Sequence, residues 1–242
     1  MSSLYLREDL DAAEPGSRLT LTGSEAKHAA TVNRTRPGQT VLIGNGRGLV
    51  ASGEVLVATG AELTIEVASV EHAEQPSPRI TLVQALAKGD RDELAVQAAT
   101  ELGVDRVVPW SASRSVSRWE GAKVAKGRER WSAIVREAAK QSIRAWVPEV
   151  GELAMTAHVA GLASASDVLV LEPTGDSALT AFVPGDRDIV LVVGPEGGIA
   201  PAELEALRAA GARILRLGGT VLRTSTAGPA ALAVLNAALG RW

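Results

Sequence analysis

Residues 188–204, DIVLVVGPEGGIAPAEL, contain the pattern that decides the fold. The apolar run from Ile189 to Val193 predicts a buried strand, and Gly194-Pro195-Glu196-Gly197-Gly198 follows it directly. Pro201 suits the first turn of the next helix, because that position needs no N–H donor. Glycines after a strand let a ligand approach the backbone at the edge where open α/β sheets bind their ligands. The alternative is a tight turn that is only rich in glycine, since the segment matches neither a P-loop nor Gly-x-Gly-x-x-Gly.

A second loop of this kind occurs in residues 215–232, LRLGGTVLRTSTAGPAAL. Gly218 and Gly219 follow a predicted strand, and Thr224 and Ser225 precede a predicted helix. Two such loops at one edge of a sheet predict the two walls of a pocket. Arg223 is unusual in a plain helix cap, although an ordinary Ser/Thr cap is the alternative for Thr224 and Ser225.

The sequence around these loops alternates strand-like runs with longer helical runs. We predict strands at 79–86, 105–110, 167–173, 188–194 and 213–218, and helices at 91–103, 127–143, 201–211 and 225–239. This alternation is typical of an α/β domain with a mostly parallel sheet.

The first 72 residues have a different pattern. Short alternating runs separated by turn residues predict a small β-barrel, interrupted by one helix at 24–34 with Ser24 as its N-cap. Two prolines in residues 72–79, HAEQPSPR, indicate a linker. We therefore predict a barrel over 1–72, a linker over 73–78 and an α/β domain over 79–242.

Composition excludes several classes of site. The chain has no cysteine, and its three histidines are not spaced as metal ligands, so we expect no disulfide, no thiol catalysis and no metal. No stretch has 18 consecutive apolar residues and the N-terminus lacks a signal pattern, so we expect a cytoplasmic protein without a membrane segment. The net charge of −3 argues against nonspecific nucleic-acid binding, but residues 114–144 carry nine basic and three acidic side chains. That block is either a surface for phosphates or a solvated helix.

Several of these segments together resemble one known family. The two glycine-rich loops, the segments 84–104 and 137–150 and the SRSV run at 113–116 are similar to the RsmE-type methyltransferases of the SPOUT class. Residues 28–48 resemble the PUA-like barrel of that family, so the similarity covers essentially the whole chain.

The resemblance implies a fold and a reaction. It implies a deep trefoil knot in the C-terminal domain, a homodimer, and transfer of a methyl group from S-adenosylmethionine to N3 of a uridine in 16S ribosomal RNA of the small subunit, near the decoding centre. It places the cofactor among three loops, at Leu171, Glu172, Gly194, Pro195, Glu196, Gly197, Gly198, Ile199, Leu217, Gly218, Leu222, Thr224 and Ser225.

Candidate residues for catalysis and RNA binding are mainly basic. Arg223 or Arg144 is expected to stabilise the uridine imide anion, while water or Glu137 receives the proton, with a phosphate contact as the alternative for Arg144. Trp119, set among arginines, is a candidate for stacking on a base, with a core position as the alternative. The candidates for RNA contact are Arg34, Arg36, Lys88, Arg91, Arg114, Lys140 and Gln141, for which solubilising charges are the alternative.

The sequence departs from the family pattern at a few positions. Arg223-Thr224-Ser225-Thr226 replaces Arg-Thr-Glu-Thr, which removes a carboxylate that could act as a base. Two other functions therefore stay open. One is a SPOUT methyltransferase acting on tRNA or on a ribose 2′-hydroxyl, and the other is an inactive RNA-binding assembly factor.

Overall fold

The computed structural model describes residues 3–242, which divide into two compact units. The first unit contains the residues up to 75 together with 139–147, and the second contains 76–138 together with 148–242. The sequence predicted an uninterrupted second domain over 79–242, whereas the structure groups 139–147 with the N-terminal residues. The linker at 73–78 stays a prediction.

The first unit is a curled five-stranded sheet with one helix. Its strands are β1 (Leu4–Leu6), β2 (Arg18–Thr22), β3 (Thr40–Gly44), β4 (Leu49–Ala58) and β5 (Glu62–His72), and its helix is α1 (Gly23–Thr31). The strand order is β1-β3-β4-β5-β2, and only the β1–β3 pair is parallel. Alternating residues such as Leu19 and Leu21 point into the core, as the period of two in the sequence predicts.

The start of α1 differs from the prediction. Thr22, in an extended conformation, is the residue before the helix, so Ser24 lies in the first turn and is not the N-cap. No side chain caps this end.

The second unit contains a seven-stranded sheet with helices. Its strands are β6 (Ile80–Ala85), β7 (Arg106–Trp110), β8 (Glu149–Val150), β9 (Asp167–Leu171), β10 (Ser177–Ala178), β11 (Ile189–Val193) and β12 (Arg213–Arg216). Its helices are α2 (Arg91–Glu101), α3 (Ala122–Gln141), α4 (Thr156–Gly161), α5 (Pro201–Ala209) and α6 (Thr224–Ala238), and the last residues of α3 are grouped with the first unit. The strand order is β10-β12-β9-β11-β6-β7-β8 and every pair is parallel.

Burial explains why the central strands were recognisable from the sequence. All five residues of β11 are buried, because β6 and β9 flank it and helices cover the sheet. The predicted α/β class with a mostly parallel sheet is confirmed. The short elements β8, β10 and α4 were not predicted, and α3 begins five residues before its predicted start at 127. The knot that the resemblance implies stays a prediction.

Candidate functional site

A cavity of about 570 Å³ in the second unit lies at the carboxyl ends of β9, β11 and β12. Three loops form its walls, each following one of these strands. The residues that line it are Arg91, 171–173, 193–196, 198–199, 216–224 and Ala227. This is the edge at which parallel sheets bind their ligands.

The structure brings most of the predicted cofactor residues to this cavity. Those that line it are Leu171, Glu172, Gly194, Pro195, Glu196, Gly198, Ile199, Leu217, Gly218, Leu222 and Thr224. Gly197, in the loop after β11, and Ser225, in the first turn of α6, do not line the cavity. The predicted pocket is therefore present as a geometric feature, and its occupation by a cofactor is taken up below.

The loop after β11 requires glycine at two positions, 194 and 198. A Cβ at Gly194 would lie 2.6 Å from Cγ1 of Ile199, which is buried, so any side chain there would displace the loop. Gly198 has a φ of +72°, a left-handed conformation that residues with a Cβ adopt at a cost. Because both are glycine, this loop exposes its backbone to the cavity.

A buried hydrogen-bond chain fixes the two glycine-rich loops to each other. The Nε2 group of Gln84, on β6, donates to Oγ1 of Thr224 at 2.8 Å, and that hydroxyl donates to the carbonyl oxygen of Gly194 at 2.9 Å. Nε2 of Gln84 also donates to the carbonyl of Ala85, which fixes the orientation of the amide. Sequence reasoning missed Gln84, although a polar residue inside an apolar strand was the signal that could have identified it.

Glu196 joins the loop after β11 to the start of α2. Its Oε1 accepts from the backbone N–H of Lys88 at 3.1 Å and from the Arg91 guanidinium at 3.3 Å. Arg91, predicted to contact RNA, therefore holds a cavity residue in place. It also lines the cavity itself.

Glu203, at the start of α5, is a second residue that sequence reasoning missed. It accepts hydrogen bonds from Thr156 Oγ1, from the backbone N–H and hydroxyl of Ser113, and from the Ala200 N–H. Burial disfavours the charged carboxylate, but these hydrogen bonds outweigh burial and lower the pKa of Glu203. The segment that begins at Ser113 is thereby attached to α5.

The predicted catalytic residues lie in different places. Arg223 lines the cavity and is exposed. Glu137, on α3, pairs with its neighbour Arg136 at 3.4 Å and does not line the cavity. Arg144 belongs to the first unit, so its role beside Arg223 stays a prediction.

One of the predicted RNA contacts is corrected. Lys140 has a side chain only 7% exposed, and its Nζ lies 3.0 Å from Oε1 of Glu25, which itself is buried. A buried ion pair of this kind is structural, so Lys140 does not present its charge to RNA. The other candidates are exposed, namely Arg34, Arg36, Lys88, Arg91, Arg114 and Gln141.

Arg114 lies in the loop between β7 and α3, residues 111–121, which we call the basic loop, and it connects this loop to the one that follows β11, which we call the cavity loop. Its guanidinium donates to the carbonyl oxygen of Gly197 at 3.3 Å, and a Cβ at Gly197 would lie 3.2 Å from the Arg114 carbonyl oxygen. Gly197, which does not line the cavity, thus contacts the loop expected to bind RNA. Within residues 3–242 no cluster of acidic or histidine side chains is arranged to hold a metal ion. In the same range, no helix has the length and apolar character to span a membrane.

Comparison with known proteins gives a consistent result. One family model, an RNA methyltransferase domain, matches residues 73–236, and another, an RNA methyltransferase PUA domain, matches residues 21–68. Ribosomal RNA small subunit methyltransferase E of Mycobacterium tuberculosis is 42% identical over 235 residues, which cover 95% of this chain and 90% of the relative. The protein of the same name from Bacillus subtilis is 30% identical, over 98% of this chain and 96% of the relative.

Solved structures also resemble this chain over most of its length. Ribosomal RNA small subunit methyltransferase E from Neisseria gonorrhoeae, bound to S-adenosyl methionine, is 27% identical with a TM-score of 0.87 over 98% of each chain. A methyltransferase from Legionella pneumophila in complex with the same cofactor is 29% identical with a TM-score of 0.84, over 98% of this chain and 97% of that one.

Proposed function

This chain belongs to the RsmE-type RNA methyltransferase family, and on that premise we propose that it transfers a methyl group from S-adenosylmethionine to N3 of one uridine in the 16S ribosomal RNA of the small subunit. The observation that carries the proposal is the cavity at the ends of β9, β11 and β12, where backbone groups from three loops converge. The family and the enzyme class predicted from the sequence are confirmed.

The cavity fits the cofactor in size and chemistry. About 570 Å³ lies within the usual range of sites for molecules of this size. The cavity is lined in part by Gly194 and Gly218, and backbone at such positions can supply the donors and acceptors that an adenine ring needs. Glu172 and Glu196 place carboxylates in the lining, which suits a ligand with a positive sulfonium.

Three arginines line the cavity, and Arg223 is the one that we assign to catalysis. Arg91 pairs with Glu196, and Arg216 donates to the carbonyls of Gly175 and Asp176. Within residues 3–242, the Arg223 side chain makes no hydrogen bond or ion pair. It is therefore available to a substrate.

The residues of the cavity have two tasks in this reaction. When bound, the cofactor supplies an electrophilic methyl carbon on its sulfonium. The loops hold the nucleophile in line with that carbon and exclude water. The uridine N3–H is a weak acid, and Arg223 stabilises the negative charge that spreads to the flanking carbonyl oxygens as the proton leaves. Glu137 does not line the cavity, so in our proposal water receives the proton.

The proposal has four further parts, of which the homodimer and the knot are what the family resemblance implies. We place the protein's action in the cytoplasm, where it forms a homodimer, and the C-terminal unit carries the deep trefoil knot. Exposed cations of the second unit, such as Lys88 and Arg114, bind the RNA backbone.

Labelled methyl transfer tests the proposal directly. Small subunits that lack their own modification are incubated with the protein and labelled cofactor, and the product nucleoside is identified by mass. We expect 3-methyluridine at one position, and we expect Arg223→Ala to lower kcat with little change in cofactor affinity. Arg187→Ala, an exposed arginine that bonds to the carbonyls of Ala163 and Ser166, is the matched control.

Other results of the methyl-transfer experiment would indicate other functions. A 2′-O-methylated product, or transfer to tRNA alone, would assign the chain to a different substrate class. Cofactor binding without transfer to any ribosomal particle would indicate an inactive RNA-binding assembly factor.

A further inference from the structure

A second cavity of about 340 Å³ lies in the second unit, outside the cofactor cavity. Its walls come from the start of α2, from residues 116–119 of the basic loop and from α3. We call it the Trp119 groove. The sequence did not predict that these residues form one site, although Lys88 and Trp119 were each candidates for RNA contact.

The Trp119 groove has a rigid aromatic wall. A Cβ at Gly127 would lie 2.5 Å from the Trp119 ring, so the indole packs directly on the backbone of α3. The edge of Trp119 also meets Trp131, with ring centroids 5.4 Å apart and planes at 76°, and Trp131 is buried. The half-buried indole is thus held in one orientation. Val116, which is 66% exposed, adds a second apolar surface to the same groove.

The charges of the groove do not favour a phosphate. Arg130 is held by both oxygens of Glu93, at 2.9 to 3.2 Å, and Asp92 accepts from the backbone N–H groups of Ala87 and Glu93. Lys88 is the cation left at the rim, because its side chain has no hydrogen bond or ion pair to any residue that the structure describes. A flat ligand with apolar faces and polar edges matches this surface better than an anion does.

The groove adjoins the cofactor cavity. The backbone N–H of Lys88, a groove residue, donates to Glu196, a cavity residue. Arg91 lines the cavity, while the residues on either side of it, Asp90 and Asp92, line the groove. A ligand in the groove therefore lies next to the site of methyl transfer.

We propose that the Trp119 groove binds an unpaired nucleobase of the RNA substrate, one that neighbours the methylated uridine, by stacking it on Trp119. The inference rests on the proposed function, because it assumes an RNA substrate. Bases in single-stranded loops are commonly recognised by stacking on aromatic side chains with their edges hydrogen-bonded. Binding a second base in the groove fixes the strand at a further point next to the target nucleotide.

Steady-state kinetics with small subunits test the groove. We expect Trp119→Leu to raise the KM for subunits about tenfold, as the loss of one stacked base does elsewhere, with kcat and cofactor affinity unchanged. Trp119→Phe keeps an aromatic plane and is expected to restore most of the affinity. Val116→Ser is expected to raise KM as well. Val183→Ser, at a valine that is 82% exposed and lines neither cavity, is the matched control.

The stability of each variant is read from its unfolding midpoint, so that a loss of fold is not taken for a loss of contact. If Trp119→Leu unfolds, Val116→Ser carries the kinetic test. An unchanged KM in the folded variants would overturn the proposal.

Photocrosslinking separates RNA from protein as the occupant. A benzophenone amino acid at position 116 is expected to crosslink to 16S ribosomal RNA beside the methylated nucleotide, and the same group at position 183 is not. Crosslinks to ribosomal proteins alone would overturn the proposal. If the unmodified chain methylates no subunit, the proposed function fails, while the crosslink at position 116 still decides whether the groove contacts RNA.

Discussion

The cofactor cavity and the Trp119 groove are neighbours in one unit, but different parts of the chain form their surfaces. The cavity is lined largely by glycine-rich loops whose backbone is held by Gln84 and Thr224. In the groove, the side chains of Trp119 and Val116 are the apolar surfaces. A backbone surface changes only when a loop moves, whereas a side-chain surface changes with a single substitution. We therefore expect the two sites to respond to different kinds of mutation.

The largest expected effect comes from adding one methyl group to the cavity loop. In Gly194→Ala the new Cβ overlaps the buried Ile199, and overpacking of this kind costs up to about 3 kcal/mol of stability, so we expect the loop to shift and cofactor binding to weaken. Calorimetric titration with S-adenosylmethionine measures the change. Gly185→Ala, where a Cβ meets no atom within 4 Å, is the matched control. If Gly194→Ala binds the cofactor normally, the loop adapts and the contrast between the two sites is lost.

The next effect tests the hydrogen bonds behind the cavity. Thr224→Val keeps the shape of the side chain but leaves the Gln84 amide without this acceptor and the Gly194 carbonyl without its donor. An unmatched buried polar group costs about 2 kcal/mol, so we expect a lower free energy of unfolding and weaker cofactor binding. Denaturant titration and calorimetry check this. Thr226→Val, at an exposed threonine of the same helix, is expected to change neither quantity.

Arg114→Ala tests the connection between the two sites. We expect weaker binding of small subunits, and a slope of log affinity against log salt that is smaller by about one, because a phosphate contact is lost. Cofactor affinity is expected to change little, since the bond from Arg114 to Gly197 is exposed. Arg187→Ala is the control of equal charge. An unchanged salt slope would show that Arg114 supports the loop without contacting RNA.

The smallest effect is a pH dependence from Glu203. Its pKa is lowered below the ordinary 4.5, so its charged form stabilises the fold above about that pH, and this stabilisation is lost as pH falls through the lowered pKa. Because Glu203 holds Ser113, acid is expected to loosen the basic loop. We expect Glu203→Gln to lower stability at neutral pH and to flatten its dependence on acid pH.

Unfolding midpoints measured across acid pH check that expectation. Glu205→Gln, at an exposed carboxylate of the same helix, serves as the comparison. If both variants keep the acid dependence of the unmodified chain, another group is responsible for it.

The sequence predicted the features that are local in the chain. Apolar runs in the sequence coincide with the strands β6, β7, β9, β11 and β12, and the two glycine-rich loops come directly after β11 and β12. Hydrophobic periodicity and the positions of the glycines were therefore sufficient to predict these strands and loops. The elements β8 and β10 have two residues each, which is too short to produce a period.

Features that depend on distant partners were not predictable. Lys140 looked like one more exposed cation of a basic block, and only the fold brings Glu25, 115 positions away, to its Nζ. Likewise, the hydroxyl that pairs with Gln84 lies 140 positions along the chain. Glu203 looked like an ordinary acidic residue in the first turn of a helix, because its partners Ser113 and Thr156 come from two other segments.

The return of residues 139–147 to the first unit has a consequence for biosynthesis. Trp146 donates to the Ala73 carbonyl, the Gly48 N–H donates to Ala145, and Lys140 neutralises the buried Glu25. A nascent chain that ends at residue 75 has none of these partners, so the N-terminal sheet gains its last contacts only after the ribosome has translated residues 76–138 of the α/β unit. A gene fragment cut at the apparent linker would accordingly encode all five strands of the sheet but would leave the buried Glu25 carboxylate without the Lys140 ammonium.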